Sequence, residues 1–496
     1  MSRVRRAAMV WLPVSSAAVV VAVLLSAFSG QYGYHRDELY FRMLPFSWGY
    51  VDQPPLTPIL AHLSTAVFGD TVWAMRIPAT LCMVTFVVLG GLVARDLGGG
   101  RLAQGLAAWG LAFSAVPLSF GHLLLTATVD LPVWLGVVLF TIRALRRDPR
   151  WWLAAGACAG VGMYNKFLIV LLLIGLAIGL LCNGSHPQQG RRVLLSGWLW
   201  GGVAVALLVA APNLIYQATH GWPQFTMAAG IDERGGAASR VQLIPHQFLL
   251  LGPLLAPIWI AGLVGIFRAP QWQPLRSLAW AYLAVLVIVL GTGGQMYYSL
   301  GLVAFAYVAG CVRAEQWTAD RVAYRGLVVG AVAFNCLGAI VIGLPIVPVA
   351  ALGSTPIPAI NQAARDQVGW PTYVGQVAEV YRRLPATDAD RTVIVTGNYG
   401  EAGALNRFGG TYGLPPVYSG HNELYFRGSP APTTEVVVLV GISPSTAQDH
   451  FTSCERAGTL DNGVDIDNEE QGRPIFVCRS PRLAWTELWP TFQHYN

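Results

Sequence analysis

Of the 32 Lys and Arg residues in this chain of 496, one is lysine, Lys166. Charge of either sign is scarce: Asp, Glu, Lys and Arg make up 12% of the residues, against 54% hydrophobic. The net charge of +6 does not point to nucleic acid, because the arginines fall in small groups between apolar runs and form no continuous basic face. Cysteine is also rare. Five of the seven, Cys82, Cys158, Cys182, Cys311 and Cys336, lie in or beside apolar segments without the paired spacing of a metal site. Only Cys454 and Cys478 sit in a polar region, where a disulfide and two free thiols are both open to them. Heptads, low-complexity tracts and a repeat array are missing, which excludes coiled-coil and solenoid folds.

What the chain does have is apolar runs that repeatedly reach the roughly 20 residues a helix needs to cross a bilayer core. This patterning predicts a polytopic α-helical membrane protein with spans at 8–29, 72–94, 102–121, 128–145, 151–164, 167–183, 193–215, 246–267, 277–292, 296–312 and 326–348, eleven in all. The first follows Arg3, Arg5 and Arg6. No small-residue cleavage site precedes Gln31, so it reads as an uncleaved span rather than a signal peptide. With the N-terminus cytoplasmic, the arginine groups 95/101, 143/146/147/150, 191/192, 268/276 and 313/321/325 fall on one side, as the positive-inside bias expects. The other face then receives loop 30–71, the turn near 122–130, the Asn165-Lys166 turn, loop 216–245, the turn 291–295 and everything after about 349. Residues 1–349 read as a transmembrane domain and 350–496 as a small extracytoplasmic α/β domain. The latter has strand-like runs at 392–396, 435–440 and 474–478 and a helix near 372–384. The expected location is the plasma membrane, in contact with the lipid bilayer.

Acids cluster on that outer face. Asp37 and Glu38 follow the first span in YHRDELYFR (34–42), where a carboxylate beside water and lipid can take a proton from a hydroxyl. The bland alternative is a pair of solvated acids bridged to Arg36 or Arg42. Asp130 stands at the outer mouth of the fourth span in an apolar setting. It reads either as a functional acid or as the cap of a helix beginning Leu131-Pro132. Lys166 lies in a tight turn between apolar spans, where a compact ammonium suits a point contact to phosphate; an interfacial snorkelling residue is the alternative. Arg240, His246, Tyr297 and Tyr298 add donors on the same face. Asp52 and His220 are two ligands towards a divalent cation, too few for a site by themselves. A second segment, 421–427 (HNELYFR), echoes 35–42 and reads as coincidence.

DELYF with GYVDQPPL, then Asp130, Lys166 and the Tyr297-Tyr298 turn in that order, resembles family 39 of the GT-C glycosyltransferases, over roughly residues 1–315. That family includes protein O-mannosyltransferases and aminoarabinose transferases. The stretches 396–404 and 418–422 are similar to bacterial, actinobacterial-type members. The resemblance implies a GT-C fold and inverting transfer of a sugar from a polyprenyl-phosphate carrier to an extracytoplasmic lipid, cell-wall glycan or protein. It implies Asp37 as general base with Glu38 beside it, Asp130 shaping the acceptor or sugar side, and Lys166 on the phosphate. Two departures stand out. Asp52-Gln53-Pro54 replaces Glu-Lys-Pro of the aminoarabinose transferases, and Gln295 stands where many relatives carry Lys. Phosphate binding would then rest on Lys166 with Arg240 or His246. Two other classes fit the composition, a transporter or flippase of envelope precursors and a non-catalytic envelope assembly protein. The first is opposed by acids gathered at span ends without half-to-half symmetry, the second by the presence of Asp37 and Lys166.

Overall fold

The computed structural model describes residues 7–182 and 192–495, so Arg3, Arg5, Arg6 and Arg191 lie outside the described residues. The chain is a multi-pass membrane protein, mostly helical, divided into two compact units. The larger runs to Ser29 and takes in Gln53–Thr57 and Arg76–Leu344; the smaller holds Gly30–Asp52, Pro58–Met75 and Pro345–Asn496. Composition draws the boundary at 349/350, whereas in space the first loop is grouped with the C-terminal region.

Six described helices are long and apolar enough to cross a membrane: Trp11–Phe28, Val72–Asp96, Thr126–Arg146, Gly197–Thr219, Pro270–Thr292 and Val322–Gly343. A seventh candidate is the pair Arg101–Ala112 and Ala115–Gly121, bent by 59°. The break has a local cause: Pro117 has no N–H to give Phe113, so the helical ladder cannot run through. The eleven expected spans are thus not eleven full-length helices. Trp151–Asn165 has 15 residues, short of the roughly 20 a straight span needs, and the next apolar helix is described from Ile169 to Cys182. The expected span 246–267 is interrupted, since one helix ends at Gln247, Gly252 takes φ +106°, and the next α-helix starts at Ala256. Residues 216–245, expected as a loop, contain the helix Pro223–Gln247; its apolar residues lack helical periodicity, which hid it.

Small residues bring the helices of this unit together. Gly156 faces the backbone of Gly202, and Gly262 and Gly310 each face the other helix's carbonyls, so that any Cβ at these sites would enter backbone. At one end of the bundle the fully buried Asp96 carboxylate is paired with Arg95 (2.9 Å), Arg143 (2.8 Å) and Arg147 (2.9 Å). Arg146 donates to the Asp96 carbonyl. Two of the arginine groups seen in sequence therefore meet around one buried acid, and their combined charge offsets its burial.

The smaller unit is built on a five-stranded sheet ordered β2-β1-β3-β5-β4, with β1 at Thr392–Thr396, β2 at Val417–Ser419, β3 at Val436–Val440, β4 at Phe451–Thr459 and β5 at Pro474–Pro481. β1 runs parallel to β2 and β3, while β5 is antiparallel to β3 and β4. The central strands β1 and β3, TVIVT and VVVLV, are buried along their whole length, as unbroken β-branched runs require. Cys454 and Cys478 face each other across β4 and β5 and form a disulfide. β2 and β4 were not expected: β2 has three residues, and β4 is mostly polar. The expected helix is Trp370–Arg382.

Replacing Gly156 by Leu should prevent the Trp151–Asn165 and Gly197–Thr219 helices from meeting, because the obstacle is backbone and cannot rotate away. A loss above about 2 kcal/mol is expected, read as a lowered unfolding midpoint of the full chain in detergent.

Candidate functional site

In the smaller unit, YHRDELYFR folds into the helix Arg36–Met43, started by a capping box: Asp37 N–H donates to His35 Nδ1 (3.2 Å) and His35 N–H to Glu38 Oε2 (2.8 Å). The two adjacent acids thereby separate in role. Glu38, read from sequence as standing beside the base, is 0% exposed and caps the helix. The Asp37 side chain stays 32% exposed, so a hydroxyl can reach it. Asp37 Oδ1 accepts a hydrogen bond from the Tyr399 hydroxyl (2.8 Å), and His35 Nδ1 lies 3.9 Å away.

Tyr399 comes from the stretch TGNYGEAGA (396–404), which runs from the end of β1 into the helix Tyr399–Phe408. Asn398 caps that helix by accepting from Glu401 N–H (2.9 Å), and Glu401 Oε2 accepts from Gly397 N–H (2.9 Å) and Asn398 N–H (3.1 Å). Gly403 lies against the Leu39 backbone and Gly400 against Arg36, so this face has no side chains to hold the Arg36–Met43 helix away. The Tyr399 ring is 4.8 Å from Tyr40 and 4.7 Å from His421, with the Arg36 guanidinium over it at 4.9 Å. Arg36 also pairs with Glu469. The Tyr40 hydroxyl donates to Asp52 Oδ1 (3.0 Å) and accepts from Glu423 N–H (3.2 Å), while Val51 N–H donates to Glu423 Oε2 (3.0 Å). The sequence echo therefore has a place: the segment 421–427 lies directly against its counterpart in the first loop. Burial, aided by the negative charges of Glu423 and Asp37, pushes the Asp52 carboxyl up to about 7.

In the larger unit the tight turn Asn165-Lys166 organises a second cluster. Asn165 is fully buried; it accepts from the Thr57 hydroxyl (2.6 Å) and donates to Asp130 Oδ1 (2.8 Å) and the Thr126 carbonyl (2.7 Å). Asp130 is not a helix cap, because its helix begins four residues earlier, at Thr126. Its Oδ2 is buried without a hydrogen-bond partner among the described residues. The Lys166 ammonium donates to the Tyr297 hydroxyl (3.2 Å) and lies over the rings of Tyr297 (5.4 Å) and Tyr298 (5.1 Å). Among the described residues no carboxylate comes within ion-pair distance of it. Asp130, Tyr297, Tyr298, Phe120, Trp134 and Gly301 line one small cavity.

Arg240 pairs with Asp232 (2.7 Å) and donates to the carbonyls of Leu290 (3.2 Å) and Gly291 (3.3 Å), so its charge is already matched. His246 is in the last turn of its helix and half-buried; Gln247 is the residue that reaches inward, to Ser299 (2.6 Å) and Tyr282 (3.3 Å). His220 is exposed and stacked on Tyr216 at 3.9 Å. It belongs to the larger unit and Asp52 to the smaller, and no group of three or more His, Cys, Asp or Glu able to hold a metal stands among the described residues. Sequence reasoning missed Tyr399, Asn165 and Thr57. Tyr399 had a signal in the 396–404 stretch; Asn165 adjoins the lysine that drew attention.

Residues 52–216 match the model of the dolichyl-phosphate-mannose-protein mannosyltransferase family. Among solved structures, the fold is similar to ArnT from Cupriavidus metallidurans bound to undecaprenyl phosphate, with TM-score 0.54 and 15% identity over 93% of this chain and 97% of that one. The apo state of the same protein gives TM-score 0.55 at the same identity and coverage. No curated protein matches by sequence.

The Asp52 carboxyl keeps its proton in the folded chain up to about 7, whereas in the unfolded chain it loses it near about 4. Its contribution to stability therefore falls as pH rises from about 4 to 7 and is level above that. Asp52→Asn has no proton to lose, so its unfolding midpoint should exceed the wild type's at pH 8 and match it at pH 4. Parallel midpoints at both pH values would contradict this.

Proposed function

From a chain with the GT-C glycosyltransferase fold and a mannosyltransferase-family segment at 52–216, we propose a membrane glycosyltransferase that moves a sugar from a polyprenyl-phosphate carrier to a hydroxyl acceptor. The observation that carries the reading is Lys166. The ammonium is held by two phenols, with Asp130 near enough to feel its charge but no carboxylate within ion-pair distance among the described residues, so it can still meet an anion. The chain uses arginine everywhere else, so this one lysine marks a place where a compact cation on a flexible stem serves better than a planar fork. A phosphate is the anion that a polyprenyl carrier presents, and the ArnT structure in the comparison is one bound to undecaprenyl phosphate.

The reaction balances with residues of this chain. The acceptor oxygen attacks the anomeric carbon, its proton passes to Asp37, the bond from that carbon to the phosphate oxygen breaks, and the electron pair leaves with the phosphate. Lys166 stabilises the charge that grows on the departing oxygen. A single displacement of this kind inverts the anomeric centre. Tyr297 and Tyr298 orient the ammonium, and Asp130, tied to Asn165, shapes the wall beside it. In this reading Arg240 and Glu38 are structural. A divalent cation at Asp52 and His220 is not required, since each step has a protein group to perform it. The arginine groups, including those joined at Asp96, would face the cytoplasm with the N-terminus, and the smaller unit would lie outside the cell.

Membranes carrying the protein and supplied with a set of polyprenyl-phosphate-linked hexoses and pentoses should transfer label from one of them. Asp37→Asn should lower that transfer by at least about a hundredfold, with insertion and unfolding midpoint unchanged. Lys166→Ala should chiefly weaken donor binding. Full transfer by Asp37→Asn would remove the base assignment, and unchanged donor affinity in Lys166→Ala the phosphate assignment.

A further inference from the structure

Asp37 is held by a residue that no family motif of the first loop supplies. Its Oδ1 accepts from the Tyr399 hydroxyl at 2.8 Å, while Oδ2 carries no hydrogen bond among the described residues and the side chain remains 32% exposed. One carboxylate oxygen is thus fixed and the other is left for an incoming proton. Tyr399 is itself fixed from several directions. Tyr40 and His421 contact its ring, Arg36 lies over it, and its N–H donates to His421 Nδ1 (3.2 Å). His421 is fully buried and stacked on His494 at 4.4 Å, which ties the arrangement to the end of the chain. The glycines at 400 and 403 let the helix bearing Tyr399 come close enough for the phenol to reach the acid.

We propose that Tyr399 is a positioning residue for Asp37, so that the C-terminal region completes the catalytic site of the first loop. This rests on the reading of Asp37 as the base. The phenol performs this role only as a donor. Burial and the neighbouring Asp37 charge both raise its pKa well above the ordinary tyrosine value, so it keeps its proton through the working range and does not act as a base itself. The other charged groups that bear on the pair are His35 and Arg36 on the acid's own helix, Asp52 in the same loop, and Asp366 and Glu469 from the C-terminal region. Substitutions at 399 leave all five in place, so a change in pH dependence reports on the phenol.

The test uses the full chain in lipid nanodiscs with the polyprenyl-phosphate-linked sugar that supports transfer. Tyr399→Phe keeps the ring and removes the donor. It should lower kcat about tenfold, leave KM for the donor unchanged, and move the acid limb of the rate profile upward by about one pH unit, because the charged carboxylate has lost a hydrogen bond. 3-Fluorotyrosine at 399, a stronger donor of nearly the same size, should move that limb the other way. Its fluorine resonance should also titrate with pH and cease to do so when Asp37→Asn is added. If Tyr399→Phe does not fold, the fluorotyrosine chain decides. Wild-type kcat and acid limb in Tyr399→Phe, or an unmoved limb with fluorotyrosine, overturns the positioning role while leaving Asp37 as base. Full transfer by Asp37→Asn overturns the base and, with it, the role of Tyr399.

Discussion

The smaller unit depends on how closely two helices can approach. Arg36–Met43 carries the acid and Tyr399–Phe408 carries the phenol, and they meet where Gly403 faces the backbone of Leu39. A side chain at 403 would have to displace backbone, and the contact between Asp37 and Tyr399 would open with it. Much of the surrounding detail follows from that approach. Tyr40 is brought against Tyr399 and so towards Asp52, and Arg36 is left over the phenol ring where it also meets Glu469. A first loop with two adjacent acids, two arginines and a histidine is then not a solvated knot of charge. Its groups are matched by the C-terminal region, by the helix cap and, for Arg42, by Asp70.

The larger unit answers a different problem, that of placing charge in an apolar bundle. Two of its charged groups show opposite results. Asp96 is surrounded by three arginines and is spent on structure. Lys166 instead lies over two phenol rings, with the Asp130 carboxylate beyond ion-pair distance, so its charge is stabilised without a direct ion pair. Asn165, next to that lysine in the chain, accepts from Thr57 and donates to Asp130, so the turn is braced from both sides. The contrast is between a charge neutralised by direct ion pairs at Asp96 and one without such a pair at Lys166, the residue proposed to meet the phosphate.

Much of this was legible in the sequence. The strand runs at 392–396 and 474–478, the helix near 372–384, the acid pair after the first span and the singular lysine all declare themselves locally, through hydrophobic period, charge scarcity and residue choice. What was hidden depended on contacts far apart in the chain. Tyr399 is 362 residues from Asp37, and nothing in YGEAG says that its glycines face another helix rather than solvent. Glu38 read as the neighbour of the base, and the capping contact it makes with the His35 N–H was not visible. The break between the runs at 151–164 and 167–183 was legible too, and the helices stop at Asn165 and restart at Ile169; the bend between Ala112 and Ala115 inside the run 102–121 was not. Periodicity reports burial, and burial among helices resembles burial in lipid.

The central claim is that a hydroxyl, deprotonated by a carboxylate, displaces a phosphate from a sugar in one step. The anomeric configuration of the sugar in the product tests it most directly, determined by nuclear magnetic resonance on material made by the purified full-length protein from a donor of known configuration. The account predicts inversion. Retention would mean a covalent sugar on the protein and a nucleophile where a base has been placed, and would contradict it.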